Sequence, residues 1–168
     1  FHLPLILMGY LNPVMQFGVE KFCRKAKEVG IDGIILPDLP MYEFENFYKK
    51  YFEANDLHFI FLITPETSEE RIRKIDDLTK GFIYAVSSSS TTGNNKQIHD
   101  QENYFSKLKR MNLKNPVLVG FGIKDKPTFQ AACKYTNGAI IGSAYIQALQ
   151  QSADVDIATK QFLDSVLR

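Results

Sequence analysis

Three short stretches hold the residues best suited to act on a ligand: "YAVSSSSTTGNN" (residues 84–95), "GFG" (Gly120, Phe121, Gly122) and "GSA" (Gly142, Ser143, Ala144). The first follows an apolar run with hydroxyls, one glycine and two amides, and it carries no charge. Glycine lets a backbone approach a ligand closely. Each tripeptide precedes a helix or turn, whose first N–H groups lack partners and favour an anion. One such tripeptide alone makes only a tight turn. Two in succession, with Gly93 in the long loop, point to a phosphate. Phe121, between glycines, is either a plug at the end of a strand or a wall for a planar ligand. Tyr84 and Tyr10 are core residues if taken singly, but with Phe121 they would make a slot for an aromatic ring. Asp38, between the prolines of "LPDLP", is a rigidly placed carboxylate that could serve as general acid or base, or cap a turn. Glu66 of "TPET" is the nearest second carboxylate, and it is not comparably placed. His2, His58 and His99 receive no catalytic role.

The elements that must position these residues repeat. A strand-length apolar run followed by a helical spacing of apolar residues occurs six times. The strands are expected over 3–10, 32–38, 58–63, 81–86, 116–122 and 138–144. Helical segments follow them: "VMQFGVEKFCRKAKEVG", 41–54, one capped by Ser68 with Glu69 and Glu70 in its first turn, 101–111, "KPTFQAACKY" and "ADVDIATKQFLDSVLR". Continuous apolar strands separated by helix-length crossovers imply a parallel sheet covered on both faces. The fold class is therefore α/β, as one domain over 1–168 with no linker. A doubly wound sheet and a (β/α) barrel remain open on this pattern. In both, ligands bind at the carboxyl ends of the strands, where the stretches above fall. "GSA" leading into "YIQALQQ" suits the short extra helix that holds phosphate in many barrels.

Composition excludes several alternatives. The chain has 168 residues, 45% hydrophobic and 23% charged, with a net charge of +1. Such a balance argues against nucleic acid or an anionic membrane surface as the main partner, because both call for a basic patch. No run reaches the ~20 apolar residues needed to span a bilayer. Cys23 and Cys133 share no motif with His or other Cys, so no metal is expected. They read as free thiols of a reducing, cytoplasmic compartment. The apolar start lacks the basic region and cleavage site of a signal peptide. It begins with Phe1 rather than Met and enters a strand within two residues, as expected of a sequence that starts partway into its fold.

Taken in order, "LMGYLNPV", "GIILPDLP", "FLITPETSEERI", "GFIYAVSSSSTTG", "PVLVGFGI" and "GAIIGSA" resemble the tryptophan synthase α subunit family through almost the whole chain. The resemblance implies a (β/α)8 TIM barrel, of which about six βα units are present. It implies a lyase that cleaves indole-3-glycerol phosphate to indole and glyceraldehyde 3-phosphate. By the same resemblance Gly93, Gly122, Gly142 and Ser143 hold the phosphate. Tyr10, Tyr84 and Phe121 surround the indole-glycerol portion together with Thr92, the threonine of a mobile loop. Thr92 would orient a catalytic carboxylate, with Tyr84 in support. A charged lid would compete with the phosphate or bury an unpaired charge, which accounts for a loop that is polar yet uncharged. The implied partner is the tryptophan synthase β subunit in an α2β2 complex. No cofactor is expected on this chain, since pyridoxal phosphate would belong to that partner.

One departure stands out. The family's catalytic glutamate and aspartate lie on its second strand and the loop after it, and this sequence starts at what resembles the third strand. Neither Asp38 nor Glu66 matches them, so the 168-residue chain alone is expected to be inactive. The alternatives are a non-catalytic barrel fragment that binds phosphate or a partner protein, and another phosphate-binding barrel of amino-acid biosynthesis.

Overall fold

The apolar runs form parallel strands joined by helical crossovers, as their pattern requires. The computed structural model describes residues 3–86, 95–120 and 122–168, residues 95–101 by backbone alone. The packing gathers into two compact units. One holds the described residues up to Leu62 together with Ser68–Ile83; the other holds Ile63–Thr67 and the described residues from Tyr84 onward.

In the first unit β1 (Ile6–Met8) lies parallel to β2 (Gly33–Ile35), with Ile6 opposite Gly33 and Met8 opposite Ile35. β2 in turn pairs in parallel with β3 (His58–Phe59). Between β1 and β2 the expected single helix is two: α1 (Leu11–Phe17) and α2 (Val19–Glu28). Gly18 separates them at φ +92°, a conformation that L side chains rarely adopt. The segment after β2 starts as α3 (Met41–Glu43), passes through a π-helical turn (Phe44–Tyr48) and ends as α4 (Lys49–Ala54). The π turn has a physical use. In an ideal α-helix Phe44 and Phe52 would stand about 80° apart, and absorbing one residue in a wider turn brings them within about 20° of one face. Both are buried, and their rings meet at 5.5 Å in one cluster with Phe59 and Phe61.

The apolar run 58–63 serves two sheets rather than one. Ile60 N–H still bonds to Ile34 C=O, but Phe61 N–H turns to the buried Thr79 hydroxyl at 3.1 Å. The next two residues, β4 (Leu62–Ile63), open a four-stranded sheet of order β4, β5 (Ile83–Val86), β6 (Val117–Gly120) and β7 (Gly138–Ala139). α5 (Glu69–Leu78) is capped by Ser68, whose hydroxyl accepts Arg71 N–H at 3.3 Å as the sequence indicated. α6 (Asn95–Met111) starts before the expected 101. α7 (Lys126–Cys133) is opened by a reciprocal cap between Asp125 and Thr128. β7 is shorter than expected, because Ser143 and Ala144 already belong to α8 (Ser143–Gln150); α9 (Val155–Leu167), capped by Asp154, closes the chain. The fold is α/β, of the (β/α)8 kind that the resemblance implies.

Candidate functional site

The second unit brings together the tripeptides singled out in the sequence. β6 and β7 run parallel with Leu118 opposite Gly138 and Val119 opposite Ala139, a constant offset of twenty residues. Ile140 N–H continues the ladder to Val119 C=O at 2.7 Å. The same offset relates Gly122 to Gly142, so the two glycines follow neighbouring strands out of the same edge of the sheet. Gly122 has φ +76°, a left-handed conformation that a side chain would strain. Gly142 precedes α8, and a Cβ built on it would meet nothing within 4 Å. The space above it is open. Gly142 at the cap position has no side chain to cap α8, and among the described residues no other side chain does so; the first intrahelical bond runs from Ile146 N–H to Gly142 C=O. The N–H groups of Ser143 and the residues after it thus face an open end, the arrangement that suits an anion.

Tyr84, in β5, is 7% exposed, and burial pushes its phenol above the usual range, so it is a neutral hydroxyl. Its ring lies on the backbone of Gly120: a Cβ there would fall inside contact distance of Tyr84 Cε2, Cζ and Oη. Gly120 therefore makes room for Tyr84. No sequence signal separates this role from a tight turn, because the two residues are 36 positions apart.

After β4 the turn 64–67 is tied by its own side chains. Thr64 N–H donates to Thr67 Oγ1 at 2.9 Å, and Thr67 N–H to Thr64 C=O at 3.0 Å. The Thr64 hydroxyl and the backbone N–H of Glu66 hold the Glu66 carboxyl below its usual range. Lys107 of α6 donates to Thr67 C=O at 3.1 Å. These contacts went unread in the sequence, where "TPET" showed a polar strand end with Glu66 as a second carboxylate. Glu66 is engaged with its own turn.

The first unit places Tyr10 at the carboxyl end of β1, 69% exposed, directly before α1. Asp38, after β2, presents both carboxylate oxygens to Leu11 N–H, at 2.9 and 3.0 Å. It thus holds the first N–H of α1, a helix start rather than the turn that the sequence suggested. Thr92, Gly93 and Phe121 lie outside the described residues. Among the described residues no three His, Cys, Asp or Glu side chains gather into a metal site, and no helix is long and apolar enough to cross a membrane.

A family model described as "Tryptophan synthase alpha chain" matches residues 1–166. The tryptophan synthase alpha chain of Bacteroides thetaiotaomicron is 52% identical over 165 residues, which is 98% of this chain and 64% of the relative. That of Flavobacterium johnsoniae is 55% identical over 151 residues, covering 89% of this chain and 60% of the relative. The chain thus spans less than two thirds of the length of these relatives. Among solved structures, the tryptophan synthase A-subunit of Pyrococcus furiosus superposes with a TM-score of 0.80 at 30% identity, covering 98% of this chain and 66% of that one. Tryptophan synthase subunit alpha from Campylobacter jejuni gives 0.80 at 29% identity, over 96% and 64%.

Proposed function

The chain belongs to the tryptophan synthase alpha chain family, and from that premise we propose that it carries the substrate-positioning part of a carbon–carbon lyase acting on indole-3-glycerol phosphate. The observation that carries this reading is the twenty-residue register of β6 and β7, which lines up Gly122 with Gly142 at the uncapped start of α8. Backbone N–H groups of α8 and the Ser143 hydroxyl bind the phosphate, and the left-handed Gly122 lets the neighbouring loop close on it. Gly93 completes this cradle. Tyr84, Tyr10 and Phe121 flank the indole-glycerol portion, and Thr92 orients a catalytic aspartate; for Thr92, Gly93 and Phe121 the support is the family resemblance.

The cleavage is a retro-aldol reaction. A base takes the proton of the hydroxyl on the glycerol carbon bonded to indole C3 as that carbon–carbon bond breaks, and an acid protonates indole C3, giving indole and glyceraldehyde 3-phosphate. Phosphate and ring contacts only hold the substrate in line for these transfers. The two described carboxylates at strand ends are held by local contacts, Asp38 by Leu11 N–H and Glu66 within its own turn, and neither matches the family's acid or base. By the family resemblance the acid and base lie on a strand and loop that these 168 residues do not include, so the chain alone is expected to give no cleavage above background. Its partner is the tryptophan synthase β subunit in an α2β2 complex, and its compartment the cytoplasm.

The test is kinetic, in a complete subunit carrying this sequence. Gly122→Val puts bulk and strain where backbone must approach, and Ser143→Glu sets a repelling carboxylate at the α8 terminus. Each should raise KM for indole-3-glycerol phosphate by at least about ten-fold, the effect of losing or opposing roughly 1.4 kcal/mol of binding. Unchanged KM in both variants would remove the phosphate assignment.

A further inference from the structure

We propose that the Tyr145 hydroxyl, bonded to Thr159 of α9, holds the phosphate end of α8 in place, so that both are positioning residues for the substrate. The tether stands on geometry alone, whereas its consequence for phosphate rests on the site assigned to α8 above.

α8 has little else to hold it. Its eight residues fall short of the ~12–15 at which a helix persists by itself, so its place must come from packing. Yet none of its side chains is buried, and Ile146 is 55% exposed. Among the described residues the last ladder bond before it is that of Ile140, and a Cβ on Gly142 would touch nothing. At the other end Gln151 and Ser152 turn the chain towards α9, donating to Ala148 and Leu149 C=O at 3.3 Å. The carboxyl end of α8 is thus pinned by its connection. The amino end, where the phosphate is assigned, needs a second point.

Tyr145 supplies it. It is the third residue of α8, and its hydroxyl lies 2.8 Å from Thr159 Oγ1, 14 positions on. The direction of that bond follows from the next one. Thr159 donates its single hydroxyl proton to Val155 C=O at 2.7 Å, so the phenol donates and the threonine oxygen accepts. Two bonds in series, each polarising the other, therefore run from α8 to the backbone of α9. The Tyr145 ring also meets that of Phe162 at 5.3 Å.

Ring contact alone would not fix the tilt of α8. A cavity of about 280 Å³ adjoins the pair, lined by Phe129, Ile141 and Leu163 beside Tyr145 and Thr159. The ring can shift into that space with little change of apolar contact, whereas a hydrogen bond weakens steeply away from its preferred distance and angle. The same residue also meets the ligand from its backbone. The first intrahelical bond of α8 starts at Ile146 N–H, so the N–H groups of Ser143, Ala144 and Tyr145 lack intrahelical acceptors. Tyr145 offers its N–H to the anion while its side chain fixes where that N–H points.

The experiment uses a complete subunit carrying this sequence and inorganic phosphate as the probe, with binding followed by phosphorus NMR. Tyr145→Phe and Thr159→Val keep the side-chain shapes and remove the bond. Each should weaken phosphate binding about five-fold, the scale of one lost hydrogen bond. The double variant should bind no more weakly than either single one, because both remove the same bond. Thr159→Ser keeps the acceptor and should bind phosphate as the parent does. In Tyr145→Phe, KM for indole-3-glycerol phosphate should rise by the same factor while kcat stays within about two-fold. Losses that add in the double variant, or a lower Tm with phosphate affinity unchanged, overturn the positioning role. Ser143→Glu distinguishes failure of the site from failure of the tether. If it binds phosphate as the parent does, the site assigned to α8 is wrong and the proposal falls with it. If it loses phosphate while Tyr145→Phe and Thr159→Val do not, the tether alone is overturned. Should Thr159→Val not fold, Tyr145→Phe decides: phosphate affinity equal to the parent's overturns the proposal.

Discussion

Replacing Gly120 with alanine should destabilise the chain through a single side chain, Tyr84. The new Cβ would lie closer than 3.0 Å to three atoms of Tyr84, two ring carbons and the hydroxyl oxygen. Carbon atoms pack at about 3.5–4.0 Å, so the ring must move by more than about 0.5 Å. It has little room to do so, because Tyr84 is itself only 7% exposed. Overpacking of this kind costs about 1–3 kcal/mol. The chain contains no tryptophan, so urea unfolding is best followed by circular dichroism. The cost should fall below about 0.5 kcal/mol when Gly120→Ala is placed in a Tyr84→Ala background, since sites coupled only by one contact become additive once it is gone. A Tyr84→Phe background should rescue little, because the clashing ring carbons remain. If Gly120→Ala costs the same with and without the Tyr84 ring, the proposed packing is wrong. In a complete subunit the displaced phenol should also lower kcat/KM.

Tyr104 is 4% exposed and its hydroxyl is a buried polar atom with no hydrogen-bond partner among the described residues. Tyr104→Phe should therefore raise stability by about 1 kcal/mol, read as a rise of about 2–4 °C in Tm, and a fall in Tm would show that the hydroxyl is satisfied. Burial pushes the Cys23 thiol from 9.0 up to about 12. The folded chain thus binds this proton more tightly than the unfolded one, so stability is unaffected below pH 9.0 and falls as pH rises from there towards 12. Cys23→Ala should flatten that part of the stability profile, and an identical alkaline slope would contradict the assignment. β1 has β2 as its only ladder neighbour among the described residues, with Leu3, Leu5, Leu7 and Met8 exposed and no charged residue from 3 to 19. The 168-residue chain should self-associate in sedimentation experiments and Met8→Lys should reduce it, whereas a monomer at all concentrations would count against an adhesive edge.

Features decided within a few residues were legible in the sequence. The alternation of apolar runs with helical spacing, the Ser68 cap with its acidic first turn, and the short helix in "YIQALQQ" after "GSA" each depend on contacts between residues one to four apart. The α/β class and the clustering of glycines and hydroxyls at strand ends followed from them. Tertiary structure decided what depends on distant partners. "HFIFLI" gives no sign that its ladder changes sheets at Phe61, because the deciding acceptor is Thr79, 18 positions away. The π turn at 44–48 exists because Phe44 and Phe52 must reach one aromatic cluster, which no local propensity dictates. Asp38 carries the same letter whatever it meets, and only the fold brings Leu11 N–H, from 27 residues earlier, onto its carboxylate. Gly120 likewise looks like any turn glycine until the Tyr84 ring is seen lying on it. Local pattern determines which groups stand at the strand ends, and long-range packing determines which partner each of them meets.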